Sequence, residues 1–317
     1  MFKKWIYIVL FIPGMAFSQG EVQLLPTELK KQTVITQPVT LYKGFLRAGL
    51  AYSYGFIDKI FDEDGNRVSL SNSFGDSWTA LATFQYGVTD RLQVGLDVPY
   101  IDQTVTLSII QEAPGFDIFE EVRFEQSGNG IGDISLSGIY QIITETETRP
   151  AFTGAVVLTL PSGEKNVKPI NGDQAELPVG SGRFSSELRL NLRKARYPFL
   201  FSGFASYKYN FEGNKVIDPG EPAVDFQDGG LFSVSGLVGY HVNEWMAIIN
   251  DINYSSIGKN EVAGITTDTD SKFSLDYSPR LSFQIQRLRV NQVLRFPIVG
   301  RLSSADPGIT VIVQYVF

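Results

Sequence analysis

The sequence predicts an all-β membrane protein, a closed antiparallel transmembrane β-barrel of about twelve strands, and three observations carry that reading. Segments of about ten residues with alternating polarity recur from Phe45 to the C-terminus, the pattern of outer-membrane strands. The links between these segments alternate strictly between long and short. Beyond the first twenty residues no window approaches the roughly 20 apolar residues that a membrane-spanning helix needs, so any span must be made of strands.

The N-terminus reads as a secretory signal over residues 1–18. Lys3 and Lys4 supply its charged start, Trp5 to Pro13 its apolar core, and Ala16-Phe17-Ser18 a small-residue cleavage site. The apolar core is too short to span a bilayer and no stop-transfer pattern follows, which argues against a retained anchor. Residues 19–44 then form a periplasmic segment, and residues 45–317 the barrel. There is no cysteine, so neither a disulfide nor a thiolate metal site exists. The formal net charge of -7 argues against nucleic acid as a partner.

Strands are expected near Phe45–Ile57, Ser77–Val88, Arg91–Ile101, Ile131–Ile143, Ala151–Pro161 and Arg183–Arg193. Six more fall near Phe199–Phe211, Leu231–His241, Trp245–Ser255, Lys272–Gln286, Leu288–Val299 and Ile309–Phe317. An even count matches single-chain bacterial barrels and places both chain ends in the periplasm. Long links such as 58–76, 102–130 and 162–182 become extracellular loops, and short ones such as Thr89-Asp90 and Asn243-Glu244 become periplasmic turns. A large soluble all-β domain, or two of them, would also accommodate the strands, but would not require the loop lengths to alternate.

Aromatic residues on the outward parity gather at the strand ends. Trp78, Tyr100, Tyr209, Phe232, Tyr254 and Phe296 lie towards the loops, and Tyr86, Tyr140, Phe199, Tyr240, Tyr315 and Phe317 towards the turns. Two such girdles mark the two lipid boundaries. In the long loops acidic side chains outnumber basic ones about threefold, which gives an acidic outer rim that solvates the loops or holds divalent ions against lipid headgroups.

The inward parity carries a polar lumen of mixed charge, including Arg47, Gln85, Gln93, Glu187, Arg189, Arg193, Lys208, Asp251, Asp276, Arg280, Arg289 and Arg295. Glu187 is expected to face Lys208 across the sixth and seventh strands, while Asp251, Asp276, Arg280 and Arg295 gather across the ninth to eleventh. Such a network either fills and rigidifies the barrel or selects solutes at a constriction. The candidate selectivity set is Arg189, Arg193, Lys208, Asp251, Asp276, Arg280 and Arg295.

Three motifs offer other chemistry. Gly128-Asn-Gly-Ile-Gly-Asp133 lacks the Lys-Ser/Thr pair and opens a strand, so its glycines read as backbone freedom at a strand entry with Asp133 pairing nearby. Asp62-Glu-Asp-Gly-Asn66 spaces oxygens as calcium loops do but has no Glu at the twelfth position, so it reads as a solvated turn. His241 is the single histidine and lies inward near a turn, with Ser233 and Ser235 on its strand. A lipid-cleaving site would instead face outward at the outer boundary, so no enzyme is expected. Neither a cofactor nor a metal is called for.

The signal segment, the Tyr86-Gly-Val-Thr-Asp-Arg-Leu-Gln-Val-Gly-Leu-Asp-Val-Pro-Tyr100 hairpin, Gly130-Ile-Gly-Asp133 followed by Tyr140, Leu158-Thr-Leu-Pro-Ser-Gly163 and the terminal Phe317 together resemble the outer-membrane transporters named for the meta-cleavage pathway of phenol degradation. The resemblance covers most of the mature chain, and its motifs are structural. It implies passage of small solutes, including hydrophobic or aromatic compounds, across the outer membrane of a Gram-negative bacterium. The alternative is a non-conducting structural or partner-binding barrel whose acidic loop 102–128 engages another envelope protein. The expected partners are outer-membrane lipid, a small solute and the assembly machinery, since Tyr315 and Phe317 end the chain in a way that resembles the signal this machinery reads.

Overall fold

The computed structural model describes residues 40–70, 73–112, 119–169, 175–216, 222–266 and 272–317. The proposed signal at 1–18 and residues 19–39 of the periplasmic segment lie outside them. Twelve strands form the barrel wall: β1 Leu46–Ile57, β2 Phe74–Gly87, β3 Leu92–Glu112, β4 Ser135–Ile143, β5 Ala151–Thr159 and β6 Ser185–Arg196. They continue as β7 Phe199–Asn210, β8 Leu231–His241, β9 Met246–Ile257, β10 Lys272–Ile285, β11 Leu288–Arg301 and β12 Gly308–Val316. Each pairs antiparallel with its sequence neighbours, and β1 pairs with β12 from Arg47↔Val316 to Gly55↔Gly308. That last ladder closes the wall, leaving no sheet edge in lipid.

Alternation fixes which side chains meet lipid. Along β8 exposed Phe232, Val234, Val238 and Tyr240 alternate with buried Ser233, Ser235, Leu237 and His241. Along β1 Leu50, Tyr52, Tyr54 and Phe56 are exposed while Arg47, Ala51 and Ser53 are buried. Lipid-facing rings also pack on one another across strands, as in the stacked series Tyr52, Trp78 and Tyr100 on β1, β2 and β3. At the C-terminus Phe317 donates its backbone N–H to the Leu46 carbonyl at 2.8 Å, and its ring meets Tyr315 edge-on.

Two of the expected strand boundaries are corrected. β3 does not stop at Ile101 but runs 21 residues to Glu112. Its outer half pairs with a separate strand, Phe119–Ile131, from Tyr100↔Ile131 to Glu112↔Phe119. The segment expected as a long loop is thus a β-hairpin that carries the strand about 35 Å past Ile101 at ~3.3 Å per residue. Consequently the fourth barrel strand begins at Ser135 rather than Ile131.

The break between these two strands, Gly132 to Ile134, is held by Asp133. Its carboxylate accepts the backbone N–H of Gly163 at 3.0 Å and of Ser181 at 2.7 Å, together with the Ser181 hydroxyl. Ser162 adds a second stitch, donating its hydroxyl to the Gly132 carbonyl and accepting the Ile134 N–H. Gly163 and Gly180 pass so closely that a Cβ on either would collide with the backbone of the other. The glycines and Asp133 therefore serve the strand entry, as the sequence implied, and also fasten loop 162–182 to it.

Other loops carry short sheets. Lys59–Phe61, Arg67–Ser69 and Ser303–Ser304 form one of three strands, and Gly213–Lys215, Val224–Gln227, Glu261–Val262 and Ile265–Thr266 form one of four. The first is anchored by Asp306, which accepts the N–H groups of Asp58 and Lys59 at 2.6 and 2.7 Å, and by Arg67 bonded to the Pro297 carbonyl. Asp62 accepts the N–H groups of Asp64 and Asn66 at 3.0 and 2.7 Å, and these bonds hold its carboxyl below the usual carboxylate range, the Asn66 bond contributing most.

Substituting Asp133→Ala removes the acceptor for two backbone donors, a loss of about 1–3 kcal/mol for each group left unpaired. Loop 162–182 should open while the barrel persists. The expected readout is a new tryptic cut after Arg183, buried in the native protein, with unchanged heat-modifiable mobility in electrophoresis.

Candidate functional site

The inward side chains line the barrel from end to end, and short polar residues pair across strands to satisfy one another. Ser53 bonds Thr310 at 3.0 Å, Ser135 bonds Thr159 at 2.9 Å, and Ser255 bonds Ser274 at 2.9 Å. Arg47 donates to Gln85 at 2.8 Å, and Ser202 donates to Asn191 at 2.9 Å. Buried polar groups need such partners, and here they are supplied by the neighbouring strand.

The candidate residues sit on two walls. On the first, Arg189 and Arg193 project from β6, and Lys208 from β7. The register does place Glu187 opposite Lys208, as expected. The ion pair nevertheless goes to Arg189 of the same strand, at 2.8 Å, so the anticipated cross-strand pair is displaced by a same-face i, i+2 contact. Arg193 is 2% exposed and lies 3.9 Å from Glu145 of the periplasmic turn below it.

The second wall holds Asp251 on β9, Asp276 and Arg280 on β10, and Arg295 on β11. Asp251 lies opposite Ser278, two positions from Arg280 on β10. Asp276 accepts from the Ser274 hydroxyl at 3.2 Å and interacts electrostatically with Arg295. The register therefore sets these four positions on adjoining strands, β9 to β11, with Asp276 and Arg295 in electrostatic contact. Between them the β10–β11 ladder is irregular: it shifts register at Leu275/Asp276, continues through Asp276↔Pro297 and Tyr277↔Phe296, and after a gap at Ser278 and Pro279 resumes at Arg280↔Val293. Pro279, which has no N–H to donate, sits in that interval.

Sequence reasoning missed the apolar part of the lumen. Leu200, Leu237 and Ile249 cluster on β7, β8 and β9 with 4–5% exposure, and Ala195 packs against them. Phe204 shares their face, in register with Asn191 and Ser235. The signal was available, because the parity that puts Lys208 inward also puts Phe204 and Leu200 inward. A tally of polar residues alone passes over it.

At the end of the barrel that carries the short turns, residues 40–44 turn into the mouth. Thr40 is fully buried and donates to the Gln141 side chain at 3.1 Å, while the Leu41 N–H is accepted by Gln93 at 2.9 Å. The strap crosses β2 at Gly87, where a Cβ would collide with the Tyr42 carbonyl. Nearby, His241 is buried with Nδ1 3.2 Å from the Asn243 carbonyl. Ser235 lies six residues from it, about 20 Å along the strand at ~3.3 Å per residue, so the two form no nucleophile–base couple.

A closed wall with an apolar, aromatic-girdled outside and a polar, charged inside is that of an outer-membrane β-barrel, situated in the outer membrane of a Gram-negative bacterium. The chain belongs to the family described as "Putative MetA-pathway of phenol degradation", whose model matches residues 58–287. Among solved structures, an outer membrane channel from Pseudomonas putida F1 is similar over 94% of this chain and 98% of its own, with 16% identity and a TM-score of 0.67. This likeness shows the fold. The toluene transporter TbuX of Ralstonia pickettii is similar over 93% of this chain and 95% of its own, with 11% identity and a TM-score of 0.40.

Gly87→Val should expel the strap, since the new side chain occupies the space of the Tyr42 backbone. With Leu41→Cys as a reporter in this cysteine-free chain, labelling by a membrane-impermeant maleimide should be slow in the parent and at least several-fold faster in the Gly87→Val background.

Proposed function

We propose that the barrel passes small organic solutes, including hydrophobic and aromatic compounds, across the outer membrane. In this reading Arg189, Arg193, Lys208, Asp251, Asp276, Arg280 and Arg295 set its selectivity. The observation that supports it best is the division of the lumen wall. Charged groups on β6 and on β9 to β11 stand on either side of an apolar face built from Leu200, Phe204, Leu237 and Ile249. A solute with an apolar body and one polar group finds a partner for each part. The family to which the chain belongs supports the same reading.

The test is current through the refolded barrel in planar bilayers. Arg280→Ala and Arg295→Ala, singly and together, should shift the reversal potential in a salt gradient towards cations, because each removes a positive charge from the lumen. Phe204→Ala should instead alter uptake of a neutral aromatic into vesicles more than it alters ion current. A correctly folded barrel that passes neither ions nor solute would overturn the reading.

A second reading is favoured by one specific observation, the long hairpin of β3 and Phe119–Ile131 that rises beyond the barrel. It presents a ladder to a partner protein in the envelope. Shortening residues 104–127 should then abolish copurification of that partner and leave ion current intact.

Assembly by the outer-membrane insertion machinery is assigned to Tyr315 and Phe317. Deleting Phe317 should lower the amount of folded barrel in the outer membrane well below that of the parent, with unchanged conductance for each molecule that does assemble.

A further inference from the structure

Just inside the extracellular mouth, one level of the wall carries a distinctive row. The register runs Glu187↔Lys208 from β6 to β7, Lys208↔Leu231 to β8, Leu231↔Ile257 to β9, and Ile257↔Lys272 to β10. Two lysines of the same inward parity thus flank two apolar side chains. The lysine positions are three strand spacings apart, about 14 Å along the wall at ~4.8 Å per strand. Above them the loop strand Gly213–Lys215 places Lys215 with its ammonium 3.9 Å from the centre of the Phe226 ring, and Arg183 also lies over that ring.

The carboxylates within reach are already engaged. Asp228, which interacts with both Lys215 and Lys272, is bound to Arg183. Glu187 and Asp133 are the carboxylates that Lys208 senses. The first is paired with Arg189, and the second is taken by the N–H groups of Gly163 and Ser181. Lys208, Lys215 and Lys272 are all half-buried, yet among the described residues none has a carboxylate within 4.0 Å or a hydrogen-bond acceptor for its ammonium. A partly desolvated cation with no carboxylate in contact is costly, and three such ammonium groups share only carboxylates already bonded elsewhere.

We propose that this vestibule is a binding site for a small organic carboxylate, its anionic group held among Lys208, Lys215 and Lys272 and its apolar body resting on Leu231 and Ile257. The inference rests on the reading of the barrel as a solute channel and narrows its cargo to organic anions at the point of entry. Lys208 and Lys272 lie on the inward parity of their strands, which favours a solute over a lipid headgroup. The shelf between them distinguishes an organic anion from an inorganic one, since Leu231 and Ile257 contribute only to a ligand with apolar surface.

The test uses the full-length refolded barrel, with sodium benzoate, neutral benzyl alcohol and inorganic phosphate as probes, and the double variant Lys208→Gln/Lys215→Gln, whose folding is checked by heat-modifiable mobility. In calorimetry benzoate should bind the parent, and the double variant should bind it at least about tenfold more weakly, equivalent to about 1.4 kcal/mol. Benzyl alcohol and phosphate should bind neither protein measurably. In planar bilayers benzoate added on the loop side should reduce the parent current, with the half-blocking concentration raised to the same degree in the variant. No heat with benzoate, equal affinity in parent and variant, or phosphate binding as strong as benzoate overturns the proposal. Because calorimetry reads the site without requiring conductance, a barrel that binds benzoate but carries no current would sink the channel reading and leave the site standing. A variant that fails to fold is replaced by Lys272→Gln, judged by the same two readouts.

Discussion

The seam between the first and last strands is the constraint on which everything else depends. In hydrocarbon an unpaired backbone N–H or C=O costs several kcal/mol, so an open ladder from Arg47 to Gly55 would outweigh the stability of an ordinary domain. Pairing of β1 with β12 removes that cost and at the same time fixes the sidedness of the wall. A slip of one residue would invert one strand against the other, turning Arg47 of β1 or Gln314 of β12 towards lipid and Leu50 or Val313 into the lumen. A lipid-facing Arg costs up to about 2–4 kcal/mol depending on depth, so register and closure are selected together.

That coupling explains which parts of the fold were legible in the sequence. Strands confined to the membrane declare themselves by alternation, because one face meets lipid and the other does not. β8 matches the boundaries that parity assigns and β9 falls within two residues of them. The rule fails where the strand leaves the bilayer. Residues 104–110, Thr-Val-Thr-Leu-Ser-Ile-Ile, have strong strand character but lie past the 9–11 residues that suffice to cross a bilayer, a span that ends at Ile101. The two- and three-residue loop strands were illegible for another reason. They exist because tertiary contacts such as Asp306 with Asp58 and Lys59 bring their backbones together, and no local pattern encodes that.

The site was legible in the same uneven way. Parity places Arg189, Arg193, Lys208, Asp251, Asp276, Arg280 and Arg295 on one face of their strands, and the register sets the last four on adjoining strands. Which carboxylate each cation takes depends on side-chain reach rather than on strand pairing. Glu187 goes to Arg189 two residues away although Lys208 stands opposite. The apolar shelf of Leu200, Phe204 and Leu237 escaped notice because β7 is apolar on both faces near its start, Phe199 and Phe201 facing lipid beside Leu200. Polarity cannot separate two apolar faces; only the register can.

The two mouths differ in kind from the wall between them. The wall is a continuous ladder whose bore is fixed by strand number and stagger, and opening it anywhere would expose backbone to lipid. Each mouth is instead bounded by chain that hangs on side-chain acceptors. Thr40 and Leu41 hang on Gln141 and Gln93 at the periplasmic end. The loop sheet of Lys59–Phe61, Arg67–Ser69 and Ser303–Ser304 hangs on Asp306 and the Pro297 carbonyl at the outer end. Such bonds are worth about 0.5–1.5 kcal/mol net, somewhat more when the acceptor is charged, and water can replace them at a mouth but not in the bilayer. Any change of bore is therefore cheapest at the two ends, where a few hydrogen bonds are exchanged with solvent and the closed ladder is left untouched.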